Sequence, residues 1–106
     1  MAKFLIEGSY TADGLRGLMK DKASGRQAAV KQLVEGVGGK VEALYYAFGD
    51  VDVYVVCDFP DAASAAAVSL AVSSSGLVRL KTTALLSVAE TDQALAKTVK
   101  YRAPGA

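Results

Sequence analysis

Five residues have side chains that could bind or transform a small molecule: Glu7, Tyr46, Tyr54, Arg79 and Lys81. Arg79 and Lys81 stand two positions apart, so on a strand they share one face and can hold one anion together. The tyrosines would add flat apolar walls and hydroxyl groups. Glu7 could act as a base, or it could form an ion pair with Arg79 or Lys81, either across strands or across a dimer. The sequence therefore contains a candidate ligand-binding site for a small anionic or aromatic molecule.

Several kinds of chemistry are excluded by residues that the chain lacks. None of the 106 residues is histidine, which excludes Ser-His-Asp and Cys-His catalysis as well as imidazole metal ligands. Cys57 is the single cysteine and lies mid-strand, where we expect a buried and inert thiol. The acidic residues form no tight oxygen-ligand loop, and no glycine-rich phosphate motif appears. We therefore expect no metal and no cofactor.

The composition indicates one folded domain spanning residues 1–106. Hydrophobic residues make up 52% of the chain and charged residues 22%, which argues against disorder. With 12 basic and 11 acidic residues, the net charge of +1 gives no strong field for nucleic acid or an anionic membrane. No apolar stretch resembles a signal peptide or a membrane span. These features predict a cytoplasmic protein.

The candidate residues lie on elements whose order predicts the fold. Four β-prone segments occupy residues 3–10, 40–48, 51–59 and 77–88. Gly49-Asp50 predicts a tight turn between the second and third strands. Helical segments follow the first, third and fourth strands. This order is the split βαβ pattern of the ferredoxin-like fold, an α+β architecture with a four-stranded antiparallel sheet and two helices on one face, here with an extra C-terminal helix.

Capping residues mark where the three helices begin. Thr11 and Asp61 can accept a hydrogen bond from the first turn of the first two helices, and Thr91 can do so for the third. The first helix should break near Ala23–Gly25 and end at Gly38-Gly39, because glycine accepts the left-handed conformation. The second and third helices are predicted over residues 62–74 and about 91–102.

Strand alternation assigns the side chains to two faces of the sheet. The face beneath the helices is predicted to be almost wholly apolar: Phe4, Ile6, Val41, Ala43, Tyr45, Val53, Val55, Cys57, Val78 and Leu80. The opposite face is predicted to mix large apolar and charged groups: Leu5, Glu7, Glu42, Leu44, Tyr46, Phe48, Asp52, Tyr54, Val56, Arg79, Lys81, Thr83 and Leu85. Because so much apolar surface is unfavourable in water, we expect a second copy of the chain to cover it.

From about Lys3 to Val88 the chain resembles the GYD-domain family. The similar segments are Phe4–Leu18, Gly38–Tyr46, Phe48–Tyr54, Phe59–Asp61 and Gly76–Arg79. Gly49 and Asp52 match the Gly-x-Tyr-Asp motif, whereas Val51 stands in the place of its tyrosine. The resemblance implies a dimeric α/β barrel related to the ferredoxin-like fold, with its core at residues 3–88. It implies no established catalytic residue.

Three functions remain open from the sequence. The first is a small homo-oligomer that binds a small anionic or aromatic molecule at the sheet face. The second is a cofactor-independent, oxygenase- or isomerase-like enzyme with Glu7 or Lys81 as base and Arg79 holding an anion. The third is a structural or regulatory assembly domain. An open cavity lined by Tyr46, Tyr54 and an unpaired Arg79 favours the first two, whereas a pocket closed by paired Glu7 and Arg79 favours the third.

Overall fold

The computed structural model describes all residues 1–106 and contains four strands and three helices. In chain order they are β1 (Ala2–Tyr10), α1 (Ala12–Gly36), β2 (Lys40–Tyr46), β3 (Val53–Phe59), α2 (Ala62–Ser73), β4 (Val78–Leu85) and α3 (Val88–Ala96). The strands form one sheet in the order β2-β3-β1-β4, and every neighbouring pair is antiparallel. The predicted α+β architecture with the ferredoxin-like element order is confirmed.

The first two helices begin where the capping residues predict. The Thr11 side chain accepts a hydrogen bond from the backbone N–H of Gly14, and the Asp61 side chain accepts one from the N–H of Ser64. Hydrogen bonding from the Ser64 side chain, and after it from the Ser64 backbone, holds the pKa of Asp61 below its usual value. The sequence alone therefore determines where the chain leaves β1 and β3.

Two features shape α1. The helix ends at a glycine in the left-handed region, Gly38 with φ +82°, where the N–H of Gly39 donates to the carbonyl of Val34. The helix breaks at Lys22, one residue before the predicted segment Ala23–Gly25, and Lys22 has φ 68° and ψ 164°. Residues other than glycine rarely adopt this conformation, so the break stores backbone strain.

The core lies between the sheet and the helices α1 and α2. It consists of nine buried apolar residues: Phe4, Ile6, Val34, Val53, Val55, Cys57, Phe59, Ala65 and Val68. The rings of Phe4 and Phe59 meet edge to face with centroids 5.7 Å apart. Burial raises the pKa of the Cys57 thiol to about 11, which confirms the expectation of a buried, inert cysteine.

The connection between β2 and β3 is longer than predicted. Residues 47–52 form a loop of bends instead of a tight turn at Gly49-Asp50. Gly49 has no left-handed φ, and a Cβ added to it would meet open space, so this turn does not require glycine. β2 and β3 are therefore shorter than the predicted segments, because residues 47–48 and 51–52 belong to the loop and not to the strands. β4 likewise ends at Leu85, short of the predicted residue 88.

The C-terminal helix starts earlier than predicted. Ser87 caps α3, and its side chain and that of Glu90 form a reciprocal capping box. Thr91 lies in the first turn and donates to the Ser87 carbonyl. The predicted helix over about 91–102 is therefore wrong at both ends, because α3 starts at Val88 and already ends at Ala96. Every residue from Leu86 onwards is exposed, and we call residues 86–106 the C-terminal arm. None of the three helices has the length and apolar character needed to cross a membrane.

Candidate functional site

A β-bulge in β2 determines which side chains reach each face of the sheet. Val41 pairs with Cys57 of β3, whereas Ala43 already pairs with Val56, so Glu42 is an extra residue on β2. The Glu42 carboxylate accepts a hydrogen bond from Lys3 Nζ, which also lies 3.0 Å from Asp58 Oδ1. Past this point the alternation of β2 is inverted, because one inserted residue moves every following side chain to the other face.

The bulge overturns part of the predicted face assignment. Leu44 and Tyr46 pack against the core beneath the helices, and Tyr46 is therefore not part of the candidate site on the opposite face. The Tyr46 hydroxyl donates to the backbone carbonyl of Ala23 in α1, at 3.2 Å. Tyr45 takes the outward position in its place and is 72% exposed. Phe48 lies in the loop after β2 and is fully exposed, so it is not a strand residue on either face.

The other four predicted site residues do share the face opposite the helices, which we call the open face. Tyr54, Glu7 and Lys81 stand in one cross-strand row, because Glu7 pairs with Tyr54 on one side and with Lys81 on the other. Tyr45 extends this row onto β2, where it pairs with Tyr54. Arg79 belongs to the neighbouring row, opposite Ser9. The sheet thus brings a carboxylate, two cations and two tyrosines into adjacent positions.

The charged residues of this cluster have no ion-pair partner. The ion pairs of the chain involve Lys3 with Glu42 and Asp58, Arg16 with Asp13, and Arg26 with Asp21.

Glu7 lies directly opposite Lys81, yet neither cation approaches its carboxylate within 4.0 Å, so the predicted cross-strand pairing of Glu7 with Arg79 or Lys81 is not formed within the protomer; pairing across a dimer stays a prediction. Two cations against one carboxylate leave this part of the face positive, which favours an anion.

A shallow concavity of about 250 Å³ lies at the cluster. Its lining combines charged, polar and apolar groups: Glu7, Ser9, Val51, Arg79, Leu80 and Lys81. The guanidinium of Arg79 can bind a carboxylate or phosphate with two parallel hydrogen bonds, and the Lys81 ammonium adds a point charge. Nowhere does the chain place three or more histidine, cysteine, aspartate or glutamate side chains around a common point where they could ligate a metal.

The motif aspartate holds the end of β1 in place. One Asp52 carboxylate oxygen accepts a hydrogen bond from the backbone N–H of Tyr10 at 2.8 Å. The backbone of Asp52 also donates to the Gly8 carbonyl and accepts from the N–H of Ala47. Asp52 makes no ion pair with Arg79, so its contacts are structural. These bonds close the loop 47–52 against the core strand β1.

A comparison with known families identifies the family of the chain. A family model for the GYD domain matches residues 4–95, which is most of the chain and includes the loop held by Asp52. The chain belongs to the GYD-domain family. Neither the curated proteins nor the solved structures that were searched include a match to it.

This GYD domain differs from the motif at Val51, and the structure shows where that residue lies. Val51 borders the concavity beside Glu7, Arg79 and Lys81, where a tyrosine would have supplied a hydroxyl group. In this chain that wall is apolar. The nearest phenol on the same face is that of Tyr54, which pairs with Glu7 and is partly exposed.

The GYD domain leaves the apolar part of its open face uncovered. Leu5, Val56 and Leu85 are half-buried there although no helix lies above them, and Tyr45 is largely exposed. Sequence patterning identified the first three, because β1, β3 and β4 keep their alternation through the site. It missed Tyr45, because it did not reveal the bulge in β2. The bulge residue Glu42 is bound by Lys3, which lies on β1 and far away in the sequence.

Proposed function

We propose that this GYD-domain protein is a homo-oligomer that pairs through its open sheet face and binds a small anionic or aromatic molecule beside Arg79 and Lys81. The observation that carries the proposal is the pair of cations without ion-pair partners at the edge of an uncovered apolar sheet face. Charged groups that become covered need partners, and a ligand anion would supply them.

The exposed area supports a second copy as the cover. The protomer exposes 7414 Å², compared with about 5600 Å² for a compact monomer of this mass. The excess of about 1800 Å² is larger than the roughly 800 Å² that each partner contributes to an interface of standard size. Only 11 of 106 residues are buried, and all of them belong to the helix-covered side or its junctions. The open face and the C-terminal arm contribute to the uncovered apolar surface, together with exposed apolar side chains on the helices such as Met19 and Leu70.

The C-terminal arm supports the same conclusion. The radius of gyration is 16.8 Å, compared with about 13 Å for a compact domain of this length. Leu95, Val99 and Tyr101 are each more than three-quarters exposed. Since no part of this arm covers the open face of its own protomer, the cover must come from outside the protomer. A second copy offers an identical apolar face and an arm that can reach across.

A sedimentation-velocity experiment tests the pairing. We expect the wild-type protein to sediment as a dimer or larger assembly at micromolar concentration. Leu5→Glu places a charge in the centre of the open face and should yield monomers. Leu70→Glu is the matched control, because Leu70 is an exposed leucine on α2 at the opposite side of the sheet. A wild-type protein that remains monomeric, or equal dissociation by both variants, would contradict the proposed interface.

Calorimetric titration with benzoate tests the ligand. Benzoate is both anionic and aromatic, and Arg79→Gln should weaken its binding about tenfold or more, because a charge-assisted hydrogen bond is lost. Lys81→Gln should weaken it by a smaller factor, and Arg16→Gln, on the outer surface of α1, should leave it unchanged. Sedimentation of each variant shows whether the assembly persists.

The titration also separates ligand binding from assembly alone. If the dimer forms but neither benzoate nor phosphate binds, the protein is an assembly domain and the ligand proposal is wrong. If benzoate binds equally well to the Arg79→Gln variant, the binding site has been misplaced. In either case the pairing of open faces stands or falls on the sedimentation result alone.

A further inference from the structure

A second cavity lies on the other side of the sheet, between α1 and α2. Its inner part is a narrow space of about 60 Å³ lined by 13 residues, of which 12 are hydrophobic. Its outer part has a volume of about 260 Å³. The two parts share Tyr10, Arg26, Val72 and Val78 in their walls, so they adjoin, and we call them together the inter-helix cleft. The combined volume is at the lower end for small-molecule pockets, about 300 Å³.

The inter-helix cleft combines an apolar floor with a polar mouth. The floor is formed by aliphatic side chains of the sheet and of both helices: Ile6, Val30, Val53, Val55, Val68 and Leu80. Arg26 and Tyr10 line both parts of the cleft, whereas Tyr46 lines the inner part. Burial and then the neighbouring Tyr10 raise the pKa of Tyr46, whereas the charge of Arg26 lowers it.

Arg26 is incompletely paired within the chain. Its Nη1 lies 3.9 Å from Asp21 Oδ2, which is the far limit of an ion pair and longer than a hydrogen bond. A guanidinium carries five N–H donors, so Arg26 retains donors for a ligand carboxylate. Asp21 also lines the mouth, and its negative charge would compete with such a ligand.

The backbone next to the mouth is strained. Lys22, with φ 68°, separates Asp21 from the second half of α1, which carries Arg26. Tyr46 holds this bend through its hydrogen bond to the carbonyl of Ala23. Strain of this kind persists only where the surrounding structure holds it, and it concentrates at functional sites. The strained residue lies between Asp21 and Arg26, the two charged residues that line the outer part of the cleft.

We infer that the inter-helix cleft is a binding site for a medium-chain monocarboxylate, whose apolar chain enters between the helices and whose carboxylate meets Arg26. Apolar walls with one cation at the rim match this class of molecule better than a purely polar anion or a neutral hydrocarbon. The site lies on the opposite side of the sheet from the benzoate site proposed above. The two proposals therefore succeed or fail independently.

Titration with sodium octanoate, followed by amide chemical shifts and by calorimetry, tests the inference. Octanoate should shift the amides of Val72 and Val78, and it should bind about tenfold more tightly than n-octanol, which lacks the charge. Each methylene removed from the chain should weaken binding about fourfold. Failure of octanoate to bind would overturn the inference, and so would shifts confined to open-face residues such as Tyr54.

Two variants at the mouth of the cleft test the charge recognition, and two variants elsewhere on α1 are their matched controls. Arg26→Gln should remove the preference for octanoate over n-octanol, whereas Asp21→Asn should tighten octanoate binding by relieving competition. Arg16→Gln and Asp13→Asn change the exposed Arg16–Asp13 pair on the same helix and should leave binding unchanged. If Arg26→Gln and Arg16→Gln behave alike, the cation at the mouth is not the recognition group and the inference is wrong.

A variant that fills the cleft tests the site by blocking it, with separate measurements showing that any loss of octanoate binding is not caused by misfolding. Val72→Phe enlarges a half-buried side chain shared by both parts of the cleft. It should reduce octanoate binding more than tenfold while circular dichroism and benzoate binding stay unchanged. Undiminished octanoate binding in this variant would place the chain of the ligand elsewhere and overturn the inference.

Discussion

The two faces of the sheet are built from the same strands yet meet opposite environments. On the covered face, Val55 and Cys57 are closed off by α1 and α2, and their neighbours are apolar. Val56 lies between Val55 and Cys57 on the same strand, but its side chain is on the open face. That face also carries the ion pair of Lys3 with Asp58 and the unpaired charges of Glu7 and Lys81. The contrast shows that the buried core of the protomer lies on one face of the sheet only. The other face is free to take its contacts from a second copy or a ligand.

The largest expected effect concerns the junction that holds α1 over the covered face. A Cβ added to Gly14 would lie 2.0 Å from the Leu77 carbonyl oxygen, so Gly14→Ala must move the helix or the start of β4. We expect it to destabilise the protein by about 3 kcal/mol in urea unfolding. Gly17→Ala, one turn along, meets open space and should stabilise the helix slightly. Equal effects of the two changes would contradict the tight junction.

The next effect compares the two faces directly. Val55→Ala removes two methyl groups from the core and should lower the free energy of unfolding by about 2 kcal/mol. Val56→Ala removes the same atoms from the open face and should cost less than about 1 kcal/mol in dilute protein.

Unfolding at two protein concentrations sharpens this comparison. If a second copy covers Val56, the cost of Val56→Ala grows as the concentration rises, whereas the cost of Val55→Ala does not. A cost for Val56→Ala that matches Val55→Ala even in dilute solution would mean that the faces do not differ as described.

A smaller effect is the pH dependence of stability that the buried thiol of Cys57 on the covered face should cause. Burial raises the pKa of Cys57 from 9.0 to about 11, with Asp58 adding to the shift. Between these values the unfolded thiol loses its proton while the folded thiol keeps it, so stability falls as pH rises. The wild-type protein should lose about 1 to 2 kcal/mol more than Cys57→Ala across this alkaline window. Parallel pH curves for the two proteins would show that Cys57 is accessible to water.

The smallest effect concerns the strained bend above the covered face. Lys22→Gly replaces a residue at φ 68° by one that adopts this conformation freely, and it should stabilise the protein by about 1 kcal/mol. Lys20→Gly, at a helical position in the same segment, should instead destabilise it by about 1 kcal/mol. Thermal unfolding by circular dichroism measures both. A loss of stability in Lys22→Gly would show that Lys22 is not strained.

The sequence predicted most of the candidate site, and the exception has a physical cause. Glu7, Tyr54, Arg79 and Lys81 lie on the predicted face because their strands keep an uninterrupted alternation through the site. Tyr46 does not, because the bulge in β2 inverts the alternation behind it. Consecutive tyrosines at positions 45 and 46 fit either face equally well, so composition could not reveal the inversion.

The inter-helix cleft was not predicted at all. Patterning treats residues such as Val72 and Val78 as core, and it gives no information on the distance between two helices. The break in α1 was predicted within a residue or so, but its consequence was not, since the direction in which a helix bends depends on what it packs against. The cleft is therefore a product of the packing of α1 and α2.

By itself the sequence determined the element order, the helix caps at Thr11 and Asp61, the apolar core and the uneven character of the two faces. These depend on local chemistry, namely side-chain capping, the left-handed conformation of glycine and strand periodicity. The tertiary structure alone decided which tyrosine faces outwards, that Glu7 stays unpaired, and that α3 leaves the body of the protomer. Those outcomes depend on contacts between residues far apart in the chain, and no local pattern records them.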